Sequence, residues 1–167
     1  MTEMESVIAG VCSAIKACGV GNVFPAYPYG TRERYLSPVV TVGVKAGSGM
    51  GASFAEYLGE SYDRETDRYT EIYGKRLELT LALCIYSPMS EEYGANGCAS
   101  VFGDIVSALP SLPSGVKTRE IKCGETVFDE KTGMFLLESE IRLTAFLTAE
   151  ASDEDEVLDF TLRGTVK

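Results

Sequence analysis

Residues Arg76 to Tyr86 read R-L-E-L-T-L-A-L-C-I-Y, and this run constrains the fold more than any other. Leu77, Leu79, Leu81, Leu83 and Ile85 recur at period two. Arg76, Glu78, Thr80, Ala82, Cys84 and Tyr86 fill the alternate places. Strict alternation of this kind predicts a half-buried β-strand, with one apolar face turned to a core. That row needs covering, and two other stretches have the spacing of covering helices. Over Glu3 to Cys18, Met4, Val7, Ile8, Val11, Cys12 and Ile15 form one apolar stripe, with Thr2 and Glu5 spaced as a capping box and Gly19 and Gly21 as stops. Over Ala95 to Leu109, Cys98, Val101, Phe102, Ile105, Val106 and Leu109 do the same, with Asn96 as N-cap and Pro110 as stop.

Further strands are expected on either side. Val40, Val42 and Val44 alternate with Thr41, Gly43 and Lys45 over Val39 to Ala46, and the G-S-G-M-G of Gly47 to Gly51 is expected to break that strand. This glycine run lacks the Lys-Ser/Thr of a phosphate-binding loop, so it reads as a flexible loop. Val116 to Phe128 suggests a polar strand pair or a bent strand. Asp129 to Gly133 reads as a hairpin loop with glycine at a positive-φ position. Met134 to Thr148 is a long strand, with Phe135, Leu137, Ile141, Leu143, Ala145 and Leu147 on one parity. Fifteen residues at ~3.4 Å each span about 50 Å, so it bends or one end runs past the domain. The order implies an α+β fold: a mixed or antiparallel sheet, two helices packed on one face, and a long loop or arm between the first two core strands. Residues 1–150 are expected to form a single domain. Residues 151–167 are expected to be an acidic linker plus a C-terminal strand, in which Leu158, Phe160 and Leu162 alternate with polar residues.

Two stretches carry candidate recognition residues. The connection from Val23 to Pro38 holds Phe24, Tyr27, Tyr29 and Tyr35, which are either lids on the core or interface anchors. Residues 46–75 form a connection longer than compact domains normally carry without a purpose. They hold either short strand pieces forming an arm or a mobile segment that orders on assembly. Tyr57, Tyr62, Arg64, Arg68, Tyr69 and Tyr73 are its candidate interaction residues. Phe160 and Leu162 join them, because a final strand behind a charged linker either closes its own sheet or reaches a neighbour.

Composition excludes several classes of activity. The 167-residue chain has a formal charge of −10 and no histidine. An acidic chain is poorly suited to gripping phosphates, so sequence-specific nucleic-acid binding is not expected. Without histidine there is no His-dependent triad, and the commonest transition-metal ligand is missing. The cysteines Cys12, Cys18, Cys84, Cys98 and Cys123 include no C-x-x-C pair, which argues against a zinc site and a disulfide framework; most are expected to be small buried hydrophobes. No apolar run is long enough for a membrane helix, and the acidic start M-T-E-M-E-S is unlike a signal peptide, so a cytoplasmic protein is expected. No catalytic site, cofactor or metal is expected.

The layout resembles the tail terminator, or tail completion, proteins of long-tailed bacteriophages and prophages. The resemblance is carried by the N-terminal helix running into V-F-P-A-Y-P-Y and by the strand S-P-V-V-T-V-G-V. It continues with K-R-L-E-L-T-L-A-L-C-I-Y-S-P before the helix G-C-A-S-V-F-G-D-I-V-S-A-L, and with D-E-K-T-G-M-F-L-L-E-S-E-I-R-L-T-A-F-L. It covers residues 3–149 and leaves 151–167 unplaced. It implies a non-enzymatic structural subunit of the virion. Such a subunit forms a homo-oligomeric ring, usually a hexamer, that caps the tail tube and takes part in head-tail joining. Its partners would be further copies of itself, tail tube proteins and head-connector proteins. Its places would be the bacterial cytoplasm before assembly and the virion tail or neck afterwards. The alternative is a small cytosolic ligand-binding domain or enzyme with its pocket under Tyr27, Tyr29 and Tyr35.

Overall fold

A computed structural model of the chain describes residues 3–25, 35–51, 56–112 and 115–152. In chain order these form α1 (Glu3–Ala17), β1 (Asn22–Phe24), β2 (Val39–Gly51), β3 (Tyr57–Asp63), β4 (Arg68–Pro88), α2 (Gly94–Ala108), a 3₁₀ turn (Leu109–Ser111), β5 (Lys117–Asp129) and β6 (Met134–Ser152). The sheet has six strands in the order β1-β2-β4-β6-β5, with β3 paired to β4. β1 and β2 are parallel, whereas β3/β4 and β5/β6 are antiparallel. Thr41 bonds Cys84 while Gly47 lies beside Glu78 and Leu79, so β2 and β4 also run antiparallel. This is the α+β fold expected from the sequence, mostly antiparallel, with the helices packed on the sheet.

The chain divides into two compact units, one of residues 1–48 and 78–145 and one of residues 49–77 and 146–167. In the first, the expected core is present. Leu79, Leu81, Leu83 and Ile85 are buried from β4, Val40 and Val42 from β2, and Ile141, Leu143 and Ala145 from β6. Val11 and Ile15 of α1 and Cys98, Val101 and Ile105 of α2 are buried with them. The Cys98 thiol sits 3.5 Å from the carbonyls of Ile85 and Phe135, which places the N-terminal half of α2 across β4 and β6. Leu77, the first of the apolar row, is buried in the second unit.

Both helix ends have local causes. Gly19 takes φ +99° just past α1, and its N–H bonds the Lys16 carbonyl, a conformation that favours glycine. At α2 the sequence reading needs correction. Asn96 is not the N-cap but lies within the first turn, and Tyr93 precedes the helix without a side-chain cap. The Ser87 hydroxyl instead fastens this end to β4 by donating to the Gly94 carbonyl at 2.7 Å. Val106, expected on the buried stripe, is 40% exposed, and Ala108 is buried in its stead.

Three strand boundaries also differ. The glycine run does not break β2, which continues through Gly51. The absence of Cβ is useful at Gly47, where a side chain would come within 3.0 Å of Leu79. The described part of residues 46–75 takes the strand-arm alternative: it holds the end of β2, all of β3 and the start of β4. β6 runs to Ser152, through the first two residues of the expected linker; the rest of the linker and the final strand lie outside the described residues.

Val116 to Phe128 resolves into one bent strand, whose pairing with β6 slips at Thr118/Glu120 and Cys123/Thr126. At the second slip, a Cβ on Gly124 would lie 2.6 Å from the Glu138 carbonyl oxygen. That oxygen is backbone and cannot rotate away. A Gly124→Ala substitution should therefore cost about 1–3 kcal/mol by overpacking, read as a lower denaturant midpoint. The Asp129–Gly133 turn is as expected: Gly133 has φ +67°, its N–H bonds the Asp129 carbonyl, and the Asp129 carboxylate accepts from Lys131 N–H and the Thr132 hydroxyl.

Candidate functional site

The β3–β4 hairpin, in the second unit, brings together most of the residues singled out as an interaction element. Its register pairs Tyr57 with Tyr73, Glu60 with Glu71, and Tyr62 with Tyr69. Residues at alternate places on a strand share a face. Tyr57, Tyr62, Tyr69 and Tyr73 therefore lie on one face of the hairpin with Glu60 and Glu71. The Tyr62 and Tyr69 rings are 4.8 Å apart and tilted by 37°, and those of Tyr57 and Tyr73 meet edge-on at 5.5 Å. Cross-strand aromatic pairs of this kind stabilise a hairpin by about 0.2–1 kcal/mol each. Tyr57, Tyr62 and Tyr69 are 39%, 45% and 52% exposed, so the rings hold one another and still present a broad surface.

The phenol groups are fixed by carboxylates. Tyr62 donates to Asp67 and Tyr73 to Glu71, each at 2.6 Å. These acceptors raise both tyrosines' pKa, since ionising a phenol would remove the donated proton and set two anions together. The turn is built by Asp63, whose carboxylate accepts from the Glu65 N–H at 2.9 Å and the Thr66 hydroxyl at 2.8 Å. Asp67 closes it at φ +53°. The Glu65 N–H first, and the Thr66 hydroxyl second, hold the Asp63 carboxyl below its ordinary value. A depressed folded-state pKa contributes stability above the unfolded-state value and loses it as pH falls through the folded one. Amide protection over Ser61–Tyr69, relative to the intrinsic exchange rate at each pH, should therefore fall below about pH 4, and an Asp63→Ala variant should show that lower protection already at neutral pH.

Arg64 and Arg68, the other candidates in this stretch, are exposed at the turn. Arg68 does not join the tyrosine face, because it has the opposite parity on β4, and Arg64 lies in the turn between the strands. Phe160 and Leu162 lie outside the described residues. Sequence reading identified the tyrosines but not their shared face. The signal was present in Y-x₄-Y and Y-x₃-Y around the turn, but the face depends on the irregular pairing between Tyr57 and Gly59.

The first unit offers two other features. Val39, Tyr86 and Met134 are buried as a small second core, with Phe24, Tyr35, Cys84 and Leu136 packed against it. Cys84 and Tyr86 alternate with Leu83 and Ile85, so this cluster lies on the sheet face opposite the helices. Tyr35 sits 6.0 Å from Phe24, ring to ring. These two aromatics are thus lids on the sheet, one of the two roles the sequence allowed; Tyr27 and Tyr29 lie outside the described residues. A cavity of about 410 Å³ lies between the Gly19–Gly21 corner, Ser37–Pro38 and the first half of α2, lined by Glu92, Asn96, Ser100 and Asp104 among others. Tyr35 is not among its described lining residues.

Among the described residues no group of three or more metal-ligating side chains converges, and no helix is long and apolar enough to cross a membrane. Cys12 and Cys98 are buried, Cys84 is half-buried, and Cys18 and Cys123 are exposed. Burial raises the thiol pKa of Cys12, Cys84 and Cys98, which suppresses the reactive thiolate. Alkylation of the native protein should mark Cys18 and Cys123 first, with the other three reacting only on unfolding, as read by peptide mass spectrometry.

No protein-family model and no curated protein sequence matches the chain.

Proposed function

We propose that this chain is a structural subunit of a phage or prophage tail, of the tail-terminator kind. It assembles with further copies of itself into a ring, in the expected case a hexamer, that ends the tail tube and joins it to the head. It resides in the bacterial cytoplasm until assembly and in the virion neck afterwards. The observation that carries this reading is the exposed tyrosine face of the β3–β4 hairpin. Tyrosine supplies large contact area at low entropic cost and is enriched at protein interfaces. Four on one face exceed what scattered surface aromatics require.

The test is association of a Tyr62→Ser/Tyr69→Ser variant. Removing two central aromatic anchors should weaken self-assembly or tube capping at least about tenfold, since truncated hot spots cost ~2 kcal/mol or more. Far-ultraviolet circular dichroism should stay close to that of the parent. Unchanged association with tube and with itself would count against this surface.

A further inference from the structure

Among the described residues β1, β3 and β5 each have a single neighbour, and the last two carry opposite charge. β5 ends the sheet with β6 as its one described neighbour, and β3 has only β4. Backbone N–H and C=O groups on such edges are left for solvent or for another strand. β3, Tyr57–Asp63, contains Glu60 and Asp63 and no basic residue. The first half of β5, Lys117–Cys123, contains Lys117, Arg119 and Lys122 against Glu120 alone. That basic stretch stands out in a chain of net charge −10.

The ion pairs sharpen the contrast. Glu120 is already shared between Arg142 at 3.2 Å and Lys122 at 3.7 Å. Arg119 donates its Nε–H to the Thr144 hydroxyl at 3.0 Å. Lys117 and Glu60 are both exposed and have no ion pair among the described residues. The two slips in the β5/β6 pairing leave Glu120–Cys123 as a short regular segment between irregular ones. Bulged edges resist indiscriminate pairing and restrict the register that an incoming strand can take.

We infer that the acidic edge of β3 in one copy of this chain docks on the basic edge of β5 in the next, extending the sheet between subunits. The contact joins two different surfaces, so each copy keeps one free edge of each kind. Repetition then closes into a ring or runs on as a filament according to the rotation. Main-chain hydrogen bonds supply the pairing, and the charges set which edges meet. This inference rests on the ring-forming function proposed above and names the surfaces that would build the ring.

The experiment uses the full chain with three charge variants: Glu60→Lys, Lys117→Glu and the double swap. Association is measured by sedimentation velocity, and amide exchange is compared between dilute and assembled protein. Each single reversal should weaken association by about tenfold or more, because it lowers the charge contrast that draws the two edges together, and the swap should restore much of the loss. Gly59–Asp63 and Glu120–Cys123 should gain amide protection in the assembled form. Assembly that leaves both segments unprotected, or that ignores all three variants, would overturn the edge contact and leave the ring reading standing. A parent chain that stays monomeric at every concentration and with tail tubes present would overturn both.

Discussion

Leu81→Ala should lower stability by about 2–5 kcal/mol, the largest effect expected of any single truncation in the sheet. Leu81 is fully buried in the middle of β4, with Leu79 and Leu83 on the same face and Ile105 and Ile15 buried from the helices above. The loss has two parts: the transfer free energy of the removed carbons and the cavity they leave. Its neighbours are held from several elements at once, so the space cannot collapse cheaply. Equilibrium denaturation would read the change as a lower midpoint at unchanged slope. A loss under 1 kcal/mol would mean that the helices do not cover β4 as described.

The second large effect separates two glycines of the same helix. Alanine in place of glycine inside a helix ordinarily stabilises by about 0.5–1 kcal/mol, through backbone entropy. At Gly103 a Cβ would meet nothing within 4 Å, so Gly103→Ala should show that gain. At Gly97 the same atom would lie 2.3 Å from the Ser87 hydroxyl and 3.0 Å from the Tyr93 Cβ. Ser87 is fully buried, and its hydroxyl holds the Gly94 carbonyl where α2 begins. Gly97→Ala must displace that hydroxyl. Overpacking costs ~1–3 kcal/mol, and leaving a buried polar group unmade adds about 1–3 kcal/mol. Both exceed the propensity gain, so the two alanines should move stability in opposite directions. Equal stabilisation by both would show that α2 does not approach β4 closely at Gly97.

The contrast between Gly97 and Gly103 also shows where the sequence stops being informative. Both lie in a helical pattern, and only the approach of β4 distinguishes them. The alternation of Leu77 to Ile85 and the stripes of α1 and α2 were readable because a period of two or 3.6 is set by one element's own geometry. The strand pieces between Gly47 and Gly74 were weaker signals. Glycine and charge discourage strand formation in isolation, but β2 and β3 are held by pairing with a β4 whose own tendency is strong. Helix capping failed for a similar reason: Asn96 is a good cap in isolation, yet a serine on β4 fixes that end from outside the helix. The hairpin tyrosines were legible as a composition. Their common face was not, since it follows from a register that shifts between Tyr57 and Gly59.

Much of the electrostatic detail is local as well. Lys45 on β2 bridges to Glu140 on β6, and this pair lowers the Glu140 carboxyl's pKa. It spans the width of β4 on the face away from the helices. Exposed pairs of this sort add little to stability.

Sedimentation velocity tests the proposed self-assembly of this chain as a tail subunit most directly. The full chain would be run over a concentration series, alone and with purified tail tubes. The expected result is a species of defined mass, a small whole-number multiple of 18.0 kDa, which builds up with concentration or on the tube ends. A single monomer boundary at every concentration, with no protein carried by the tubes, would contradict it.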